Sequence, residues 1–533
     1  MNFRDGYRAQ YFLRLLRETL CTLESELLKN SFTNLNASKI ADQIGTQLAL
    51  ELDKIVLPCL VNEFHLAKNQ GLLVGTSEEN RYSSFFVHES DWTFTAKSLV
   101  KKYPLIFEHI QIILETSLRN LLLALKRFEN DCKKFDVLQI QTSGVDVFEV
   151  SFLSSDRHRG GNQAILFVLS SGAKIIHKNV DMKAERVFDY YVKQLNLPYP
   201  FNQQTAQVLD CDSYGWVKYI PHTSLSTLKD LKLYYKRAGA LIAICDSLNY
   251  TDGHFENLIA SGTFPVLIDC ETLFHCFGFT IADGISVSKE RSVLQTGLVQ
   301  KAPDEEGDRG YTAAIQTPVK QRFAFLYPHA INDRTTSIEI RYQGIVDEES
   351  QNSPCLNGEF QSPLEYIEEI LEGYEFAYQS ILSEWEMIYA DQRWLNLIKA
   401  TQFRQLIRTT LFYALLICKS HQPEYCTSKD FVLTMIKDQL IVSGDPEDVI
   451  EAYEVQDLLK LDVPYFYHYV TSNGIFDSND ELYSEYFPKS AFEEVFMNLS
   501  NMSDKHLGRN KQILRNVLAQ SPRPGETIFR KNL

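Results

Sequence analysis

Apolar residues recur at three- and four-residue steps through "YRAQYFLRLLRETLCTLESELL" and "YPLIFEHIQIILETSLRNLLLALKRFENDCKKF", with few Gly or Pro between them. That spacing predicts packing helices over residues 1–135, an N-terminal helical cap. The pattern changes near residue 136. "FDVLQIQTSG", "DVFEVSFLSS", "QAILFVLSSG" and "AKIIHKNV" are short β-branched and aromatic runs broken by Ser, Gly or Asp, which predicts a small antiparallel β layer. Helical spacing returns in "VDMKAERVFDYYVKQLN", a strand-like pair follows in "QVLDCDSYGWVKYI", and "STLKDLKLYYKRAGALIAICDSLN" is again helical. Residues 277–360, rich in Gly, Ser and Asp, predict loops with short strands, and from "SPLEYIEEILEGYEFAYQSILSEWEMIY" onward the pattern is largely helical. The expected organisation is therefore a cap (1–135), a β-rich small lobe (136–235) and a large, mostly helical lobe (236–533), an α+β class.

Composition narrows the function without choosing it. The 533 residues are 44% hydrophobic and 23% charged, as in ordinary globular protein. The net charge of −16 repels phosphate backbones, so no nucleic-acid partner is expected. No apolar run approaches the roughly 18 residues that span a bilayer, and the N-terminus lacks a secretory core, which predicts no transmembrane segment. Ten cysteines are scattered without a CxxC pair, which argues against a zinc ribbon or disulfide framework and for a reducing, cytoplasmic setting.

The chemistry concentrates in "DGHFENLIASGTFPVLIDCE", residues 252–271. Asp252 and His254 fall on a loop after a helix, Asn257 follows three residues on, and Asp269 and Glu271 leave the end of an apolar strand. Hard oxygen ligands in that order suit magnesium, which takes a few carboxylates and keeps room for substrate phosphates. Phosphoryl transfer needs such a set, together with a lysine and close backbone on the nucleotide. Upstream, Gly160 and Gly161 lie between strand-like runs where backbone can approach phosphates, although such a pair also makes an ordinary hairpin turn. Lys178 lies in the following strand, and Glu185 on the next helix is a candidate partner for it. The order differs from that of protein kinases and is nearer that of lipid kinases.

With "SSDRHRGG", "AKIIHK", "TDGHFENLIASGTFPVLIDCETLF", "RSVLQTGLV", "FRQLIRTT" and "LKLDVPYF" in hand, the chain resembles the dehydratase domain of class II lanthipeptide synthetases, the LanM type, from about Ser98 onward. The resemblance implies a lipid-kinase-like bilobal core. It implies an enzyme that phosphorylates Ser and Thr of a ribosomal precursor peptide (leader plus core) with ATP and Mg2+. Eliminating the phosphate then gives dehydroalanine or dehydrobutyrine. On the matching positions Lys178 is the nucleotide-phosphate lysine, and Asp252, His254 and Asn257 form the catalytic loop, with Asp252 as base or hydroxyl-orienting group. Asp269 is the principal magnesium ligand and Glu271 its acidic companion, while Asp156, His158, Arg404 and Thr410 serve phosphate elimination. Arg404 suits bidentate phosphate binding, Thr410 adds a hydroxyl donor, His158 can move a proton, and Arg408 is held in reserve. On a helix, residues 404 and 410 stand about 120° apart, so a bend or loop between them is expected.

The chain departs from the family where Asn179-Val180 replace Pro and a basic residue, and where Gln300 follows "TGLV" in place of Pro. Full-length members carry a further zinc-dependent cyclase domain. This sequence stops at Leu533, so no zinc is expected, and three outcomes stay open: a separate cyclase as partner, an absent portion of a longer parent, or a dehydrated product without enzyme-made rings. Two competing readings remain at this stage: a peptide Ser/Thr kinase without elimination, and a catalytically silent peptide-binding scaffold.

Overall fold

Two long helices dominate the N-terminal part of the chain: Ala37–Asn69, capped by the Asn36 side chain on Lys39 N, and Pro104–Asp131, with its proline in the first turn. In this computed structural model the described residues are 20–28, 36–86, 99–141, 145–277, 292–300, 313–316, 320–345, 351–440, 449–521 and 527–529. The chain divides into two units, each built from discontinuous segments: Met1–Asn179, Ala324–Gly344 and Thr409–Pro464 form the first, and Val180–Phe323, Ile345–Arg408 and Tyr465–Leu533 the second.

In the first unit, the strands Val147–Phe152, Ile165–Leu169 and Lys174–Lys178 pair antiparallel in sequence order. The middle strand alternates buried and half-buried positions, as a half-covered sheet requires. The edge strand is finished by side chains of the helix Ala37–Asn69: Gln47 accepts from Phe152 N at 3.0 Å and donates to Phe152 O at 3.2 Å. That pairing consumes edge groups that would otherwise template aggregation. The helix also holds the 324–344 segment, through His65 Nε2 to Ile338 O (2.7 Å) and Lys68 Nζ to Thr336 O (2.6 Å). The helices Thr410–Ser420, Lys429–Leu440 and Val449–Leu459 bury Tyr413, Leu416, Ile436, Val455 and Leu458 in one cluster with Leu105.

In the second unit, the helix Leu228–Ser247 crosses Ile367–Ala390 at unusually close range. A Cβ on Gly239 would lie 1.9 Å from Ile370 O, and one on Gly373 1.8 Å from Lys236 O. Each helix thus supplies the glycine that admits the other's backbone. Gly239→Ala should force the pair apart and cost about 2 kcal/mol net, since overpacking exceeds what alanine gains in helix propensity. A fall in the denaturant midpoint of this unit checks it. The same helix delivers the chain to Asp252, so its seating sets the position of the loop that follows.

The described helices and the three antiparallel strands lie where the hydrophobic pattern places them, residues 7–19 of the first predicted helix lie outside the described residues, and the mixed α and antiparallel-β content fits the α+β class. Three local expectations are corrected. "FDVLQIQTSG" is no strand: Cys132–Leu138 is a 3-10 turn that continues from the preceding helix, its three-residue spacing burying Phe135 and Leu138 together, while residues 142–144 lie outside the described residues. Residues 277–360 hold one long strand, Lys320–Ile331, as well as short ones. The C-terminal region, expected to be mostly helical, also contains a four-stranded sheet: Gln402–Gln405, Phe466–Tyr469, Ile475–Phe476 and Leu482–Tyr483. Among the described residues no helix is long and apolar enough to cross a membrane.

Candidate active site

The loop after Leu228–Ser247 turns sharply at Asp252, whose φ of 67° is left-handed, a conformation that Asp tolerates better than most side chains. Three donors hold it there by its carbonyl oxygen: His254 N at 2.8 Å, Asn257 Nδ2 at 3.0 Å and the Tyr250 hydroxyl at 3.3 Å. Next to it, Gly253 has no room for a side chain, because a Cβ would lie 2.5 Å from Thr296 O and 2.6 Å from Leu298 N. Gly253 N donates to Thr296 O (2.9 Å), and Ala314 N donates to Gly253 O (2.9 Å). The "TGLV" motif is therefore a buttress under the loop: a short 3-10 turn, Val293–Thr296, boxed by Ser292 and Gln295 and ended by Gly297 at φ 71°.

The hairpin Leu258–Ser261 and Phe264–Leu267 returns the chain to the same place. The buried Tyr250 hydroxyl lies 3.3 Å from both Asp252 O and Asp269 O, so the ends of the motif meet over one side chain. Asn257 Nδ2 also reaches Asp252 Oδ2 at 3.4 Å, which leaves the amide oxygen as the ligand atom Asn257 can offer a cation. Asp269 Oδ1 accepts from Glu271 N at 3.1 Å. His254 Nε2 lies 3.7 Å from Asp252 Oδ1, and its Nδ1 accepts from Glu256 N at 3.2 Å. Among the described residues no three His, Cys, Asp or Glu side chains gather as a metal cluster. Two carboxylates and an amide oxygen are the kind of set magnesium uses when phosphates complete its shell.

Arg404 belongs to the same unit, and it is a strand residue rather than a helical one, on Gln402–Gln405 paired with Phe466–Tyr469. Its Nη1 lies 2.5 Å from Glu271 Oε1, its backbone N donates to Glu271 O at 2.7 Å, and Tyr465 covers the pair. The Tyr465 hydroxyl reaches Glu271 Oε2 at 3.4 Å, and its ring lies 5.0 Å from the guanidinium carbon. Burial works against the charge of Arg404, but Glu271, Tyr465 and Asp252 outweigh it and hold the group above its ordinary range. Among the described residues, Nε and Nη2 of this buried guanidinium have no hydrogen-bond partner. Glu271, expected beside the metal, thus has its carboxylate engaged by Arg404 and Tyr465. Arg408 is buried in this unit, as is Glu185 on the helix Lys183–Leu195.

The first unit carries the remaining candidates. Lys178 ends the third strand and is half-buried, and Thr410 is the first residue of the helix Thr410–Ser420, whose N-cap is Thr409. Asp156 is exposed, and His158 opens a turn closed by its backbone pairing with Asn162. Within that turn Arg159, Gly160 and Gly161 all take positive φ (49°, 87° and 74°). The two glycine N–H groups expected to cradle phosphate are engaged by a carboxylate of the chain itself: Gly160 N donates to Asp462 Oδ2 at 2.6 Å and Gly161 N to Asp462 Oδ1 at 2.8 Å. Tyr250, Asp462 and Tyr465 had no place among the sequence candidates, although the last two lie inside the quoted "LKLDVPYF".

A family described as a domain of unknown function, DUF4135, matches residues 103–469. The chain is also 23% identical over 493 residues to the lacticin 481/lactococcin biosynthesis protein LcnDR2 of Lactococcus lactis subsp. lactis. That alignment covers 86% of this chain and 51% of the relative, so the chain spans about half the length of the curated relative it matches.

Proposed function

The chain belongs to the DUF4135 family, of the LanM type that its motifs resemble, and from that premise we propose that it is a lanthipeptide dehydratase acting on a ribosomal precursor peptide. The observation that carries the reading is the second unit's constellation: Asp252 held in a left-handed turn by Tyr250 and Asn257, Asp269 at the same tyrosine, and Arg404 beside them on Glu271. The lipid-kinase-like bilobal fold is part of the same reading. Its support is the chain order: three antiparallel strands ending in Lys178, a helix, a hairpin, a long helix and then the Asp252 loop.

In the first half-reaction the peptide hydroxyl attacks the terminal phosphorus of ATP, its proton passes to the Asp252 carboxylate, and ADP departs. Asn257 and Asp269 are the residues to hold Mg2+, which when bound neutralises phosphate charge. Lys178 is assigned to the nucleotide phosphates, and His254 supports the orientation of Asp252. In the second half-reaction a base takes the Cα proton, the Cβ–O bond breaks with its electron pair leaving on phosphate, and a Cα=Cβ double bond remains. His158, with Asp156, is this chain's candidate base. Arg404 and Thr410 receive the phosphate, Arg404 through the two donors it has unpaired.

Mass measurement tests the reading. With ATP, Mg2+ and a ribosomal precursor peptide, the peptide should lose one water for each modified Ser or Thr. A stable phosphate adduct marks a kinase without elimination, and tight binding at unchanged mass marks a scaffold. Asp252→Asn keeps the side-chain volume and deletes the proton acceptor. It should lower phosphorylation by about a hundredfold or more, read as the single-turnover rate of phosphate transfer.

A further inference from the structure

"LKLDVPYF" (459–466) has no role in the reading above, yet in the first unit it binds the turn that follows Asp156 and His158, and in the second it covers the Arg404–Glu271 pair. In the first unit Asp462 is almost fully buried and spends its carboxylate on Gly160 N and Gly161 N. Val463 N donates to Arg157 O at 2.6 Å, and Arg119 Nη2 donates to Gly160 O at 2.7 Å. Arg157 itself is clamped by Glu51 through two parallel bonds, at 2.9 and 3.0 Å. Successive N–H groups in a run of positive φ form a concave anion site, and here the anion is built in. Those contacts fix the backbone on which Asp156 and His158 stand.

In the second unit Tyr465 acts on the other elimination residue. Its hydroxyl lies on Glu271 Oε2 while Glu271 Oε1 binds Arg404 Nη1, so one nitrogen of the guanidinium is used and two stay unpaired. A buried arginine with two unpaired donors is costly unless an anion completes it, and a departing phosphate presents the oxygens to do so. Rotation of Glu271 away from Nη1 would release the fork, and the tyrosine hydroxyl opposes that rotation.

We propose that Asp462 and Tyr465 are positioning residues for phosphate elimination: Asp462 holds the turn that carries Asp156 and His158, and Tyr465 holds Arg404 through Glu271. The proposal rests on the dehydratase reading and adds two residues that neither the family match nor the motif roles assign. Asp462 also makes the Gly160–Gly161 turn a scaffold for the elimination loop rather than a phosphate cradle.

The test separates the half-reactions. Asp462→Asn and Tyr465→Phe are compared with the full wild-type chain on two probes: the precursor peptide with ATP and Mg2+, and the same peptide bearing phosphoserine with ADP and Mg2+. Elimination from the phosphopeptide should fall about tenfold or more, the effect of one lost hydrogen bond to a charged group, while its KM and the phosphorylation rate stay near wild type. Elimination at the wild-type rate in both variants overturns the proposal, and so does an equal loss of both half-reactions. Should Asp462→Asn not fold, Tyr465→Phe, which removes a single oxygen atom, decides. A wild-type chain that acts on neither probe overturns the dehydratase reading and this proposal together. Wild-type activity with unaffected variants overturns the proposal alone.

Discussion

Arg404→Ala should leave phosphorylated peptide unconverted and should also weaken the fold. The chemical loss is expected to be about a hundredfold in elimination, the scale of removing a preorganised donor from developing negative charge. The stability loss has a different origin. Arg404 is 6% exposed, and its removal leaves the Glu271 carboxylate without its nearest cation. Breaking a buried ion pair from one side costs about 3–5 kcal/mol, mostly from the charge left behind. The two effects separate in a double variant. Adding Glu271→Gln to Arg404→Ala should recover much of the stability, because no carboxylate is then stranded, while elimination stays lost. Arg404→Lys should keep the charge and the fold but not the fork, so phosphopeptide should still accumulate. Thermal melts and peptide mass, measured on the same preparations, check both. Arg404→Ala that dehydrates at the wild-type rate would remove Arg404 from the mechanism.

This pair also shows why one carboxylate could not be assigned from its spacing. Asp269 and Glu271 are two apart after an apolar strand, and in an extended chain they would share a face. The chain turns at Glu271 instead, and a strand from far along the sequence places Arg404 against it. Nothing local to "IDCE" encodes that partner. For the same reason "FRQL" reads as helix until Phe466–Tyr469 supplies its ladder, since strand formation depends on the neighbour more than on propensity.

What was legible rested on local periodicity or a tight steric demand. "QAILFVLSSG" alternates, and its strand alternates in burial. Leu228–Ser247 keeps helical spacing and ends where the polar loop begins. The glycine of "DGHFEN" and that of "TGLV" stand out as motif residues, and they meet backbone to backbone, Gly297 against Gly253. Illegible were contacts made by ordinary residues at long range. Asp462 looks like any aspartate before a hydrophobic run, and its value comes from two N–H groups some three hundred positions earlier. The discontinuous assembly of the first unit from 1–179, 324–344 and 409–464 has no signature in composition at all.

Mild acid should unfold this protein well above the pH at which ordinary carboxylates titrate. Among the described residues five histidines are buried: His109, His177 and His421 in the first unit, His275 and His468 in the second. Burial pushes all five down, His109 and His468 to about 4, His177 and His275 to about 3, and His421 well below its usual range. Neighbouring groups add to the effect: Arg127 beside His177, Lys429 near His109, and the facing His109 ring, which disfavours a proton on His421. A folded pKa below the unfolded one means that the unfolded chain binds more protons between the two values. The stabilisation is therefore complete above about pH 6.5 and drains away as the pH falls towards 4. At pH 5 a histidine lowered to about 4 forfeits about 2 kcal/mol, and His421 adds to the loss in the same direction. His275 with His468 and His109 with His421 titrate as pairs, so their losses do not add in full, yet all run in one direction against a domain stability of about 5–15 kcal/mol. Asp181 and Asp462, raised by burial, act in the opposite sense. Circular dichroism should show cooperative loss of structure between about pH 6 and 5. His468→Phe, which places an untitratable ring beside Phe403 and Phe487, should shift that midpoint to lower pH. A fold that persists unchanged to pH 4 would mean that these imidazoles find proton acceptors or water on charging, and are not held neutral.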